Sequence, residues 1–331
     1  MLGRRTFLGS AIGAAAIATM PRFAHGQTTP SFKLYDTHAH FYTNDVAKYP
    51  VDGSTARYGA DELKARLMAN PKTPEIIFKA WDEVNVAKGA AVQYGSAYLY
   101  DNRYILDISK EHPDRITPIV ILDDKDPKTP GVIERMTKDD KISGIRFRGF
   151  ADADTGEHYF LGDNASEIWQ TANNLGIAIV LMPHSRQIDL RGGVLARMGE
   201  LAARYPNVDV ILDHMGFPRP QADAANFGFF PEHLELAKLD NVYYKYTNLL
   251  IDQLREGKVP LAPFVEYSAQ TFGTDKMIWG SDYGNTPGKM TDLVQIALES
   301  AKGLPQDQQK TMFFDTADRI HVSGGRGAKR S

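Results

Sequence analysis

Cysteine is absent from all 331 residues. That excludes a disulfide framework, a zinc–thiolate site and a thiol nucleophile. Neither sign of charge dominates: 38 Lys and Arg against 41 Asp and Glu leave a net charge of -3. Nothing in that balance points to nucleic acid or an anionic membrane surface as a partner. No apolar run reaches the roughly 20 residues of a comfortable membrane span, so no stable insertion is expected. No GxGxxG follows the first strand and no P-loop occurs, which leaves nucleotide binding without support. Short-period repeats, low-complexity blocks and linker-like runs are missing from residues 30–320. What is present, 43% hydrophobic and 24% charged residues, is ordinary for a folded domain.

The N-terminus reads as a targeting segment. Gly3-Arg4-Arg5-Thr6-Phe7-Leu8 is a twin-arginine pattern, Ala11 to Met20 is small and apolar, and Ala24-His25-Gly26 resembles a cleavage site. The expectation is a twin-arginine signal peptide over 1–26, the twin-arginine export machinery as a partner, and a periplasmic mature domain over 27–331. Loss of Arg4, Arg5 and Arg22 would take the net charge from -3 to -6. A cysteine-free chain suits an oxidising compartment.

Beyond it, short apolar runs alternate with amphipathic segments. Eight runs read as buried strands: Phe32–Tyr35, Gly89–Tyr94, Ile116–Leu122, Ser143–Phe147, Ile177–Met182, Val208–Leu212, Val242–Tyr246 and Met277–Trp279. Helical patterns include Asn102–His112, Asn164–Leu175, Val194–Tyr205, Leu261–Phe272, Lys289–Lys302 and Pro305–Ile320, several closed by Gly or Pro. Eight βα units call for a parallel sheet with right-handed crossovers. A single-domain (β/α)8 TIM barrel is the economical closure, and a doubly wound open sheet is the alternative. Residues 41–85 are long for one connection and predict a lid or extra helix over the barrel mouth.

In such a barrel the chemistry gathers at the C-terminal strand ends. Asp36-Thr37-His38-Ala39-His40 presents two imidazoles on one side, because residues two apart in a strand share a face. His184 follows strand 5, Asp213-His214 follows strand 6 and Asp282 follows strand 8. His25, His112, His158, His233 and His321 read as ordinary. Imidazole and carboxylate suit a borderline divalent ion such as zinc with one position left open, so His38, His40, His184 and Asp282 are the candidate metal ligands. Asp282 is also the candidate base and His214 the candidate carbonyl-polarising or proton-handling group. Asp213 alternates away from His214 and reads as structural. Arg146 and Arg148 share a face of strand 4. They either bind a substrate carboxylate or pair with acids on the barrel floor. Because a guanidinium cannot serve as a bridging ligand, Arg146 argues against two metals. Arg219, Tyr94, Tyr246 and Tyr283 are further candidate substrate contacts.

These residues, with Asp101-Asn102-Arg103-Tyr104, His112-Pro113-Asp114-Arg115, Gly144-Ile145-Arg146, Leu212-Asp213-His214-Met215-Gly216, Asn241-Val242-Tyr243-Tyr244-Lys245 and Trp279-Gly280-Ser281-Asp282-Tyr283, resemble the amidohydrolase superfamily. The likeness is to its amidohydrolase-related branch, and within it to pyrone-dicarboxylate and sugar-acid lactonases. The resemblance runs from Asp36 to about Val322 and implies that Asp282 is the general base that activates water. It implies either one divalent ion on the histidines or metal-free polarisation by imidazole and arginine; both stay open. Tyr283 stands where the branch commonly has Trp, and Phe313-Phe314-Asp315-Thr316-Ala317 replaces a usual Asn. The expected activity is hydrolysis of a lactone or similar cyclic ester of a small carboxylated molecule. A metal-dependent non-oxidative decarboxylase is the alternative on the same scaffold, followed by a lactone isomerase and a non-catalytic carboxylate-binding protein.

Overall fold

The structure, a computed structural model, describes residues 30–56, 59–149, 159–183 and 191–327. The expected signal segment and His184 lie outside the described residues, and Arg148 is described only as strand backbone. Eight strands form one parallel sheet in sequential order: β1 (Leu34–Ala39), β2 (Val86–Val92), β3 (Ile116–Val120), β4 (Gly144–Gly149), β5 (Ala178–Pro183), β6 (Val210–Leu212), β7 (Val242–Thr247) and β8 (Met277–Gly280). An Ala39–Tyr283 parallel bridge joins the last strand's extension to the first, with His40 N–H donating to the Tyr283 carbonyl at 2.9 Å. The fold is a (β/α)8 barrel, and the open-sheet alternative is not realised.

The helices pack outside the sheet as the apolar spacing predicts. Ser166–Leu175 ends on Gly176 at φ 61°, ψ 40°, a left-handed cap that costs glycine little. Segment 41–85 holds two helices, Ala60–Ala69 and Pro74–Asp82. The second seats fully buried Trp81 against β1, its Nε1 donating to Asp36 Oδ2 at 3.2 Å. The expected helix Pro305–Ile320 is instead three pieces, Gln306–Lys310, a wide turn Thr311–Asp315, and Thr316–Ile320. That break swings Ala317 and Ile320 into the barrel floor.

Strand alternation divides the side chains into two layers. Tyr35, Ala90, Val92, Ile119, Ala178, Val180, Ile211, Tyr243 and Ile278 fill the interior with Ala317 and Ile320, while the other face packs on the helices. Above this apolar layer the inward positions turn polar: Arg146 on β4, Asp213 after β6, Lys245 and Thr247 on β7. All four are buried. Burying charge costs several kcal/mol per ion unless it is paired, so the barrel interior must be internally compensated.

Candidate active site

β1 carries the first residues of the site because its pairing slips. Between Asp36 and Ala39 it advances three residues while β2 advances two, from Gly89 to Ala91. The extra residue reverses the alternation, so Tyr35 and His38, three apart, belong to the same interior. The strand also runs through the motif, placing His38 inside it. Asp36 points the other way and ties the two segments of the site together. Its Oδ1 accepts from His38 N–H at 3.0 Å and Ser281 N–H at 2.8 Å, and its Oδ2 accepts from Ser281 Oγ at 2.5 Å. Gly280 completes the approach: a Cβ there would lie 2.6 Å from the His38 Cβ.

His38, His40 and Asp282 converge. Their Nε2 atoms are 3.2 Å apart, and Asp282 Oδ1 lies 3.5 Å from His38 Nε2 and 3.3 Å from His40 Nε2. Hydrogen bonding on the far side of each ring sets the tautomers. His40 Nδ1 faces the Val92 carbonyl at 2.9 Å, an acceptor only, so Nδ1 carries the proton. His38 Nδ1 faces the Asp213 carboxylate at 3.4 Å, which assigns its proton likewise. Two bare nitrogens and a carboxylate oxygen then meet with no donor among them. The buried trio could hold a metal ion. Bonds of about 2.1 Å to a tetrahedral zinc would space its ligands by about 3.4 Å, which the three separations fit. Outer-sphere partners of this kind orient imidazole ligands.

Asp282 and His214 sit at left-handed backbone, φ 53° and φ 54°. Such strain in residues other than glycine marks sites where surrounding structure holds a side chain in place. Asp282 Oδ2 accepts from Thr286 Oγ1 at 2.6 Å and Asn285 Nδ2 at 2.9 Å, leaving Oδ1 for the imidazoles. Burial pushes its carboxyl up, but the surrounding His40, His38 and His214 imidazoles hold it below the usual carboxylate range. The left-handed turn after β6 brings His214 back to the mouth, its ring 5.5 Å from that of His38. Burial lowers the His214 pKa to about 4, so it is neutral at pH 7.

Asp213 corrects the expectation of a residue turned away from the site. It continues the inward register of Ile211 and takes Arg146 Nε at 2.7 Å, Lys245 Nζ at 2.9 Å and His38 Nδ1 at 3.4 Å. Burial raises its pKa, but Lys245 and Arg146 outweigh that and keep it well below the usual range. Burial likewise lowers the Lys245 pKa, against the opposing charge of Asp213. His38 is pushed well down by burial and is neutral. The four charges Arg146, Lys245, Asp213 and Asp282 therefore cancel. A divalent ion added to this set leaves an excess of positive charge, which favours an anionic reactant.

Of the other expected residues, Tyr94 lines the site, its ring 5.0 Å from that of His40. Arg146 is committed to Asp213, the floor-pairing reading, and its Nη2 lies 2.9 Å from Met182 Sδ. This corrects its assignment as a carboxylate anchor. Tyr246 is corrected too: it has the outward register of β7, is fully buried, and donates to Ser300 Oγ at 3.1 Å. Arg219 is exposed, its guanidinium 5.8 Å from the Phe230 ring. Lys245 and Thr247 belong to the site without a role expected from the sequence, although a lysine two residues from a threonine in an otherwise aromatic strand is a signal for them.

Comparison with known proteins follows the geometry. A family model described as "Amidohydrolase" matches residues 35–320. A curated L-fucono-1,5-lactonase of Burkholderia ambifaria is 27% identical over 190 residues, which is 55% of this chain and 60% of the relative. The match thus spans less than two thirds of that enzyme's length. A candidate 2-pyrone-4,6-dicarboxylic acid hydrolase from Pseudomonas putida superposes with a TM-score of 0.64 at 19% identity, over 87% of this chain and 97% of that one. 5-Carboxyvanillate decarboxylase from Sphingomonas paucimobilis gives a TM-score of 0.65 at 17% identity, over 88% and 100%. At such identities these two structures share the fold.

Proposed function

From its membership of the amidohydrolase family, shown by the match over residues 35–320, we propose that this protein hydrolyses a lactone or related cyclic ester of a small carboxylated molecule. The observation that carries the reading is the convergence of one ionised, buried carboxylate with three buried imidazoles at the barrel mouth. The lactonase and pyrone hydrolase likenesses support a cyclic-ester substrate.

The residues divide the work as follows. Asp282 Oδ1 takes a proton from the attacking water as its oxygen bonds to the ring carbonyl carbon. Thr286 and Asn285 hold the other carboxylate oxygen, so the accepting one keeps its aim. Thr247 Oγ1 lies 2.6 Å from His214 Nδ1 and accepts from Leu250 N–H at 3.3 Å. Its hydroxyl proton is then directed at Nδ1, which assigns the His214 proton to Nε2. A neutral Nε2–H is the donor needed where the carbonyl oxygen gathers negative charge. The ring C–O bond breaks as the leaving oxygen takes a proton, which Asp282 can return, yielding a hydroxy acid. His38, His40 and Asp282 would hold one divalent ion, with zinc the best match to their donors and spacing. Such an ion polarises a carbonyl and lowers the pKa of water.

The test is purified protein with and without chelator on a panel of carboxylated lactones, with metal content measured. Asp282→Asn should abolish turnover while ligand binding survives; unchanged turnover would remove Asp282 from the chemistry. Release of CO2 from aromatic carboxylic acids with no lactone opened would favour the decarboxylase alternative. We also propose export by the twin-arginine route, on the Arg4-Arg5 pattern. Replacing both by lysine should retain precursor in the cytoplasm, and the exported form should begin near Gln27.

A further inference from the structure

With Arg146 bound to Asp213, the carboxylate of the proposed substrate needs another anchor, and the segment between β1 and β2 supplies one. Lys72 pairs antiparallel with Tyr42, two residues beyond His40, through Tyr42 N–H to Lys72 O at 3.1 Å and Lys72 N–H to Tyr42 O at 2.9 Å. This places Lys72 against the catalytic loop of β8: its Nζ lies 5.0 Å from the ring centroid of Tyr283, the neighbour of Asp282. Lys72 is only 8% exposed, and its ammonium donates to Asn70 Oδ1 at 2.8 Å. Arg66, on the helix Ala60–Ala69, donates to the Tyr94 hydroxyl. Among the described residues neither cation meets a carboxylate. A buried ammonium without a counter-ion is costly, so an anion brought to Lys72 would relieve that cost.

The wall between these cations and the reaction centre is aromatic. Tyr94 stacks on Tyr42 at 5.4 Å with 29° between planes. One face of this wall meets His40 at 5.0 Å, and the Arg66 guanidinium stands 5.7 Å from the Tyr94 ring. Arg66 is thus one tyrosine ring and its two contacts away from His40, the reach of a small cyclic molecule with a carboxylate on the side remote from its ester. We propose that Arg66 and Lys72 form the carboxylate-anchoring subsite and that the Tyr42–Tyr94–Tyr283 wall selects flat, ring-shaped carboxylates. Arg66 supplies the planar fork and Lys72 a point charge. This assignment rests on the lactonase reading for the identity of the ligand, but not for the existence of the anion site.

Calorimetric titration tests it with probes that cannot be hydrolysed as lactones: isophthalate and its uncharged diamide. The expected result is isophthalate bound at least tenfold more tightly than the diamide, with that preference lost in Arg66→Gln and Lys72→Met. Lys72→Arg, which keeps the charge, should retain it. Because Arg66 is exposed, its variant leaves the core intact and reports on charge. On any carboxylated lactone that is turned over, Arg66→Gln should raise KM tenfold or more, well beyond its effect on kcat. Equal affinity for isophthalate in wild type and both charge-removing variants would overturn the subsite, even with lactone hydrolysis intact. Loss of probe preference in a protein that opens no lactone would uphold it and overturn the lactonase reading instead.

Discussion

Acid should unfold this protein through a histidine far from its chemistry. His321 follows the last helical turn, stacks on Tyr35 at 5.7 Å and 24°, and is 4% exposed. Neither ring nitrogen has a hydrogen-bond partner among the described residues. Burial first, and the Lys245 charge second, push its pKa from 6.5 down to about 3. Between those values the unfolded chain binds a proton that the folded one refuses. Stability therefore rises with pH through the window and is lost as pH falls. Each pH unit below the unfolded value costs about 1.4 kcal/mol, so this residue alone removes about 2 kcal/mol at pH 5 and about 3 kcal/mol at pH 4. His321→Phe keeps an aromatic ring against Tyr35 and removes the titration. Urea unfolding at pH 7.5 and 5.0, followed by the fluorescence of buried Trp81, Trp169 and Trp279, measures the difference. Wild type should lose about 2 kcal/mol more than the variant across that interval. His214, lowered to about 4, contributes equally to both proteins and cancels. Equal acid losses in the two proteins would refute the reasoning, because His321 would then accept its proton while folded.

Three further outcomes follow from the site. Lys245→Met leaves the fully buried Asp213 with Arg146 as its sole full cation and should destabilise by about 3–5 kcal/mol in urea unfolding; adding Asp213→Asn should recover part of that loss. Thr247→Val removes the partner of His214 Nδ1 and should lower kcat about 10- to 100-fold, within the range of general acid–base effects, with KM much less affected in steady-state assays. Zinc at about 1,000 times its Kd should stabilise the metal-free protein by about 4 kcal/mol, seen as a raised Tm, and His38→Ala should abolish that rise.

Much of this architecture was legible because period-two and period-3.6 apolar patterns are local. Eight runs separated by amphipathic segments leave little choice but a closed parallel sheet, and six of the eight strands begin and end within about two residues of the pattern's limits. β1 and β2 are the exceptions: β1 runs on through the polar motif to Ala39 rather than ending at Tyr35, and β2 starts at Val86 rather than Gly89, because Val86, Ala87 and Lys88 alternate too weakly in burial to signal a strand. The strand-end positions of His40, His214 and Asp282 followed from the same periodicity, while His38 lies within β1. What lay beyond it was every feature that breaks the period. The extra residue in β1 set which side chains face inward. The left-handed turn after β6 split Asp213 from His214 and gave the first to the interior and the second to the mouth. Tyr246 and Lys245 are adjacent and equally buried, yet only the register of β7 sends the lysine to Asp213 and the tyrosine to Ser300.

The sequence by itself determined the fold, the end of the barrel that carries the chemistry and most of the residue types found there, because those depend on spacing along one chain. Charge compensation was decided by tertiary structure alone. Arg146 pairs with Asp213, and among the described residues Arg66 and Lys72 meet no carboxylate beside Tyr94 and Tyr283. Coulomb energies depend on distance through space and on burial, and residues 66, 72, 94 and 283 are brought to one wall only when the barrel closes.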